Sequence, residues 1–207
     1  MKKIFWGKIA LIFVFSFTYS KSFSYDMFGQ QTVVSSHTIQ ILPAFIGWMI
    51  ILQGVNEMLS YSDRFVSLKK FVSGLVVYSL IVFILNMIIN SEGQLLKSLS
   101  FIATFVIVYS DYLLYKGIID TESKTGLYLR GDRLMMKFKI SLAIAISTII
   151  SPILVFISPL LVFVYAAAVV VVTLVNEILI LIDLYNAQKT FTEYLWTKDD
   201  VIVEIDM

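Results

Sequence analysis

Ile140 to Asn176 is a run of 37 residues without a single charge, and the apolar stretch continues to Ile182. As one helix the whole stretch would be about 65 Å long, against a membrane hydrocarbon core of about 30 Å. It has to fold back on itself. Two Ser-Pro pairs offer the turn, because proline disfavours helix in the residue before it. A break at Ser151-Pro152 leaves an arm of about 11 residues, too short to cross. A break at Ser158-Pro159 leaves two spans, 140–157 and 160–182, with Pro152 as a kink inside the first.

The rest of the chain reads by the same rule. Phe71 to Ser91 is a further 21 uncharged residues between Lys70 and Glu92. Residues 39–59 are uncharged until Glu57, and Pro43 stands where a missing N–H is tolerated near a helix start. Residues 95–115 are interrupted only by Lys97 and Asp111, near their ends, where polar side chains reach the interface. The N-terminus reads in two ways. Lys2-Lys3 before a short apolar core, with Thr18-Tyr19-Ser20 beyond it, has the form of a cleaved signal peptide. Residues 4–20 equally form a first helix with Lys8 and Lys21 snorkelling in opposite directions, and length favours this reading.

The sum is an all-α, polytopic transmembrane bundle of about six spans. Composition agrees: 58% of residues are hydrophobic and 15% charged, where soluble chains carry about 25% charged. With the N-terminus in the cytoplasm, fourteen of the sixteen Lys and Arg fall on inner segments, and only Lys21 and Lys97 lie outside. This positive-inside bias places both termini in the cytoplasm. The loop 120–139, with Arg130, Arg133, Lys137 and Lys139 around Leu134, Met135, Met136 and Phe138, reads as a basic inner loop suited to an anionic leaflet. Residues 190–207 read as a disordered acidic cytoplasmic tail.

Several chemistries are excluded at once. There is no cysteine, so thiol nucleophiles, disulfides and cysteine-ligated metals are absent, and the single histidine, His37, cannot supply a paired-ligand site. No nucleophile elbow or P-loop occurs. A net charge of +1 gives no sign of nucleic acid. The expectation is a protein that is not an enzyme and takes no cofactor or metal.

Ionisable residues inside spans are the natural functional candidates, since a mid-membrane charge costs about 2.5–3.5 kcal/mol on insertion scales. Here they are Glu57, Asp111 and Glu177, at similar depth in the inner third of the bilayer. With Gln53, Asn56 and Asn176 they are expected either to line a cavity open to the cytoplasm or to bond one another and hold the bundle together. Val55-Asn56-Glu57-Met58-Leu59 is echoed by Val175-Asn176-Glu177-Ile178-Leu179. We read the echo as a recurring helix end, because a duplication of three-helix halves would pair other spans. Ala143, Ser147 and Ser151, four apart, form a face for close helix approach.

The segment Ile41-Leu42-Pro43-Ala44-Phe45-Ile46-Gly47-Trp48 and the Gly54 that follows resemble a pattern in small, uncharacterised polytopic membrane proteins of Gram-positive bacteria: Leu-Pro-x-Phe-Ile-Gly-aromatic, then a glycine about seven residues on. That family commonly carries an acidic residue where this chain has Ala44. The resemblance spans about fifteen residues and implies a bacterial plasma-membrane location without assigning an activity. Gly47 and Gly54 share one helix face, open to a close neighbour. The expected role is that of an interaction partner, regulator or immunity-type factor in the bacterial envelope, its partners being the lipid bilayer and another membrane protein. The alternative is a small transporter or substrate-binding membrane subunit.

Overall fold

The computed structural model describes residues 1–13, 16–24, 31–40, 43–88, 94–148 and 158–205. Within them six helices follow in chain order: α1 (Lys2–Ile12), α2 (Ala44–Glu57), α3 (Asp63–Ile88), α4 (Gln94–Thr125), α5 (Gly131–Thr148) and α6 (Pro159–Ile205). A two-stranded antiparallel hairpin, β1 (Ser16–Ser24) and β2 (Gln31–Gln40), stands between α1 and α2. Three helices are long and apolar enough to cross a membrane: α3 over Asp63–Asn86, α4 over Leu99–Thr125 and α6 over Leu160–Thr197. Helix α6 begins at the second Ser-Pro pair, with Pro159 in the first turn, where its missing N–H goes unused. Pro152, Ser151 and the rest of 149–157 lie outside the described residues.

The N-terminal region departs from the expected helices 4–20 and 39–59. Helix α1 stops at Ile12, and α2 starts at Ala44. Between them Ser16 pairs with Gln40 and Ser24 with Gln31, the register shifting between Lys21 and Ser22. The cause is visible in the sequence: from Ser16 onward Phe17, Tyr19 and Phe23 alternate with Ser and Thr. That period of two suits a pleated strand and gives a helix no apolar face. Helices α1 and α2 are about 16 and 21 Å long, each short of a 30 Å core.

These two short helices lie antiparallel and very close. A β-carbon on Gly47 would stand 2.8 Å from Leu11 Cγ and 3.2 Å from the Gly7 carbonyl oxygen, and one on Gly54 would stand 2.7 Å from Ile4. The Gly47–Gly54 face is therefore the seat of α1. It brings Lys3 beside Glu57, so α1 begins and α2 ends at the same end of the molecule.

That end is where the core sits. Ile4, Val55, Met58, Phe65, Leu68, Leu114, Ile118, Leu129, Leu134, Leu184 and Phe191 are buried together. They come from the start of α1, the end of α2, the start of α3, the end of α4, the start of α5 and the middle of α6. Away from it the helices open, leaving Ile81, Phe101, Phe105, Ile146, Phe163 and Leu174 exposed. Such apolar surface suits contact with lipid tails, which are as apolar as leucine.

Two segments at the packed end are more ordered than the sequence reading had them. Helix α4 continues to Thr125 and α5 begins at Gly131, so the expected loop 120–139 shrinks to a turn over 126–130. Gly126 (φ +71°) and Arg130 (φ 62°) both take left-handed backbone there. The acidic residues at the end of α4 hold the neighbouring helix starts. Asp120 accepts the Ser62 hydroxyl at 2.7 Å, Ser62 Oγ accepts the Arg64 N–H as the cap of α3, and Glu122 accepts the Gly131 N–H at 3.1 Å. Leu134 and Met135 are buried in the bundle, so this segment does not lie flat on a leaflet.

Helix α6, likewise, runs unbroken to Ile205 where a disordered tail from 190 was expected. Leu184, Ala187, Phe191 and Leu195, spaced three, four and four, put one face on the core, and Phe191 meets Tyr61 ring to ring at 5.1 Å.

Candidate functional site

The polar residues picked from the sequence fall into three groups. Glu57, the last residue of α2, pairs with Lys3 at 2.7 Å, both about half exposed. Gln53 and Asn56 share the exposed side of α2 and do not turn toward the other acids. These three make no cavity with the rest.

Asp111 forms the second group. Helix α4 carries it inward to an ion pair with Lys8 of α1, a residue expected to snorkel to the interface. Both side chains are largely buried, at 14% exposure for Lys8 and 23% for Asp111. The glycine contact between α1 and α2 holds Lys8 there: with Gly7 lodged against α2, the next side chain turns toward α4 and α6. A cavity of about 380 Å³ opens beside the pair, lined by Lys8, Leu11, Trp48, Ile107, Leu181 and Glu177. Among the described residues Glu177 forms no hydrogen bond or ion pair. One lysine thus faces two carboxyl groups, and Glu177 stands in the cavity against apolar walls.

The third group joins α5 to α6. Asn176 is buried and its amide donates to the Ser141 hydroxyl at 2.7 Å and to the Lys137 carbonyl at 3.1 Å. One helical turn pair further along, Asp183 is 4% exposed and binds Arg130 at 3.1 Å and Lys137, whose ammonium also donates to the Leu179 carbonyl at 2.7 Å. Toward the open end Tyr165 donates to Ser147 at 2.8 Å, so the Ser147 position of the small-residue face does meet α6, while Ala143 is exposed. Asp183, Arg130 and Lys137 were not among the sequence candidates. The signal was a matched spacing on α6, where Asn176 and Asp183 are seven apart and two turns keep them on one face; Arg130 reaches Asp183 from the turn before α5 and Lys137 from within it.

The echo between 55–59 and 175–179 has no structural counterpart. Val55 is fully buried and Val175 half exposed, Asn56 is exposed and Asn176 buried, and Glu57 ends its helix while Glu177 stands in mid-helix. His37 lies in β2, with its side chain outside the described residues.

Compared with protein-family models, with curated proteins and with solved structures, the chain matches none.

Proposed function

We propose that this is a non-enzymatic multi-pass protein of a bacterial plasma membrane that acts by binding another membrane protein, as a subunit, regulator or immunity-type factor of the envelope. Both termini face the cytoplasm, and the packed, positively charged end is the cytoplasmic one. About six crossings remain the count if the α1–hairpin–α2 unit traverses the bilayer, and four if it re-enters.

The observation that carries the reading is how the acids are spent. Lys3 answers Glu57, Lys8 answers Asp111, and Arg130 and Lys137 answer Asp183. Of the acids in or near the spans, all but Glu177 are taken up in fastening helices to one another, which supports the open ends of α3–α6 as the surface for recognition. A photo-crosslinking residue placed at Phe163 or Val171, both exposed on α6, is expected to give one discrete protein adduct in the native membrane. Adducts to lipid alone at both positions would sink the reading.

A second reading, a small transporter or substrate-binding membrane subunit, is supported by the cavity with Glu177. An organic cation with an apolar body would pair with that carboxylate and rest against Trp48.

A further inference from the structure

Helices α3 and α4 enclose a second groove, of about 300 Å³, lined by Lys70, Gly74, Tyr78, Ile102, Ala103 and Val106. Its most telling residue is Gly74. A β-carbon added to Gly7, Gly47, Gly54, Gly117 or Gly131 would come within 3 Å of a neighbour, whereas one on Gly74 meets nothing within 4 Å. Glycine in a helix interior is disfavoured by its backbone freedom, and no described residue comes within 4 Å of the space this one leaves.

The charge and the length of the groove say what would use it. Lys70 stands at the mouth, where the uncharged run 71–91 begins, and among the described residues it has no carboxylate partner. From Lys70 to Tyr78 the groove follows α3 for about 12 Å into the bilayer. Its far end is bridged by Tyr78, whose hydroxyl donates to Ser100 at 3.2 Å. A cation at headgroup level above an apolar slot at acyl depth is complementary to an anionic phospholipid. A second copy of the chain fits less well, because close helix approach needs small residues four apart, and the positions four either side of Gly74 are Lys70 and Tyr78.

We propose that the α3–α4 groove binds one anionic phospholipid, its phosphate on the Lys70 ammonium and one acyl chain lying past Gly74. This site is separate from the Glu177 cavity and stands whether or not the partner-binding reading holds.

The test is native mass spectrometry of the full detergent-solubilised chain titrated with phosphatidylglycerol or with phosphatidylcholine of the same acyl length. The expected result is a single retained phosphatidylglycerol adduct, at about tenfold lower lipid concentration than phosphatidylcholine requires. Lys70→Ala removes that headgroup preference, Lys70→Arg keeps it, and Lys69→Ala leaves it unchanged. Gly74→Phe fills the slot and loses both lipids. If Gly74→Phe fails to fold, the Lys70 series decides alone. Equal retention of the two lipids by the unaltered chain, or a phosphatidylglycerol preference that survives Lys70→Ala, overturns the proposal. So does a dimer that Gly74→Phe dissociates without touching lipid retention, which would make the groove a contact between copies.

Discussion

A carboxylate that answers two cations leaves both stranded when it is lost. Asp183 is nearly inaccessible and holds Arg130 and Lys137 together, and Arg130 does so from left-handed backbone that costs a non-glycine residue about 1–2 kcal/mol. Asp183→Asn is therefore expected to cost about 1–3 kcal/mol, the range for a buried polar group that loses its partners. Glu57→Gln should stay within about 0.5 kcal/mol, because its bond to Lys3 is half exposed and screened. Denaturant unfolding of the detergent-solubilised protein, followed by tryptophan fluorescence, compares the two; similar losses would mean that the buried cluster does not hold the bundle. Lys8 teaches the complementary lesson. Its charge and position are plain in the sequence, but whether a lysine near a helix end snorkels or turns inward depends on the neighbour its helix leans on, and that neighbour is Asp111, 103 positions away.

Between helices, the same residue type does opposite things. A β-carbon on Gly7 would stand 2.8 Å from the Gly47 carbonyl oxygen and 2.9 Å from the Ile51 nitrogen, backbone atoms that cannot step aside. Gly7→Ala is expected to push α1 off α2 and cost about 1–3 kcal/mol. Gly74→Ala, with open space around it, should instead raise stability by about 0.5–1 kcal/mol through helix propensity. Paired thermal melts read the signs, and two shifts in the same direction would remove the distinction. Element by element, the sequence was most legible where one physical demand dominates: uncharged length located α3 and most of α4, and the rule on residues before proline located the start of α6. It misled where two periodicities compete. Ser16–Ser24 has enough aromatic content to pass for a helix by hydropathy, but its alternation is that of a strand. Residues 190–205 looked like a tail because acidic residues crowd its end, while Phe191 and Leu195 kept the helical spacing of Leu184 and Ala187. The six candidate polar residues were found as charges inside spans, with polar neighbours at a similar depth, and neither charge nor depth says which way around its helix a side chain faces. That is why Gln53 and Asn56 point away from Asp111 and Asn176.

For the molecule as a whole, the two ends of the α1–hairpin–α2 unit lie together, so whether that unit traverses the bilayer does not alter which side the later helices start from. The topology is open to a direct test, since a chain without cysteine accepts single thiols with no background. Cysteines at Tyr128, exposed in the α4–α5 turn, and at Glu193 are expected to react with a membrane-impermeant reagent from the cytoplasmic side, in inverted vesicles. Leu174, exposed on the apolar part of α6, should stay silent. Labelling of Tyr128 and Glu193 from opposite sides would break the topology. Ile107 and Leu181, which line the Glu177 cavity without carrying its charges, separate the two functional readings: silence keeps the partner-binding protein ahead, and reaction at the rate of Tyr128 moves the substrate-binding reading forward. One contact also sets a clock. Phe5 and Tyr185 touch at 5.6 Å between ring centres, yet 180 positions of chain separate them. At synthesis rates of about 5–20 residues per second, roughly 10–40 s pass between the making of one and the making of the other. Helix α1 can thus seat on α2 early but meets α6 late, and a ribosome that stalls inside α6 leaves the packed core open on that side.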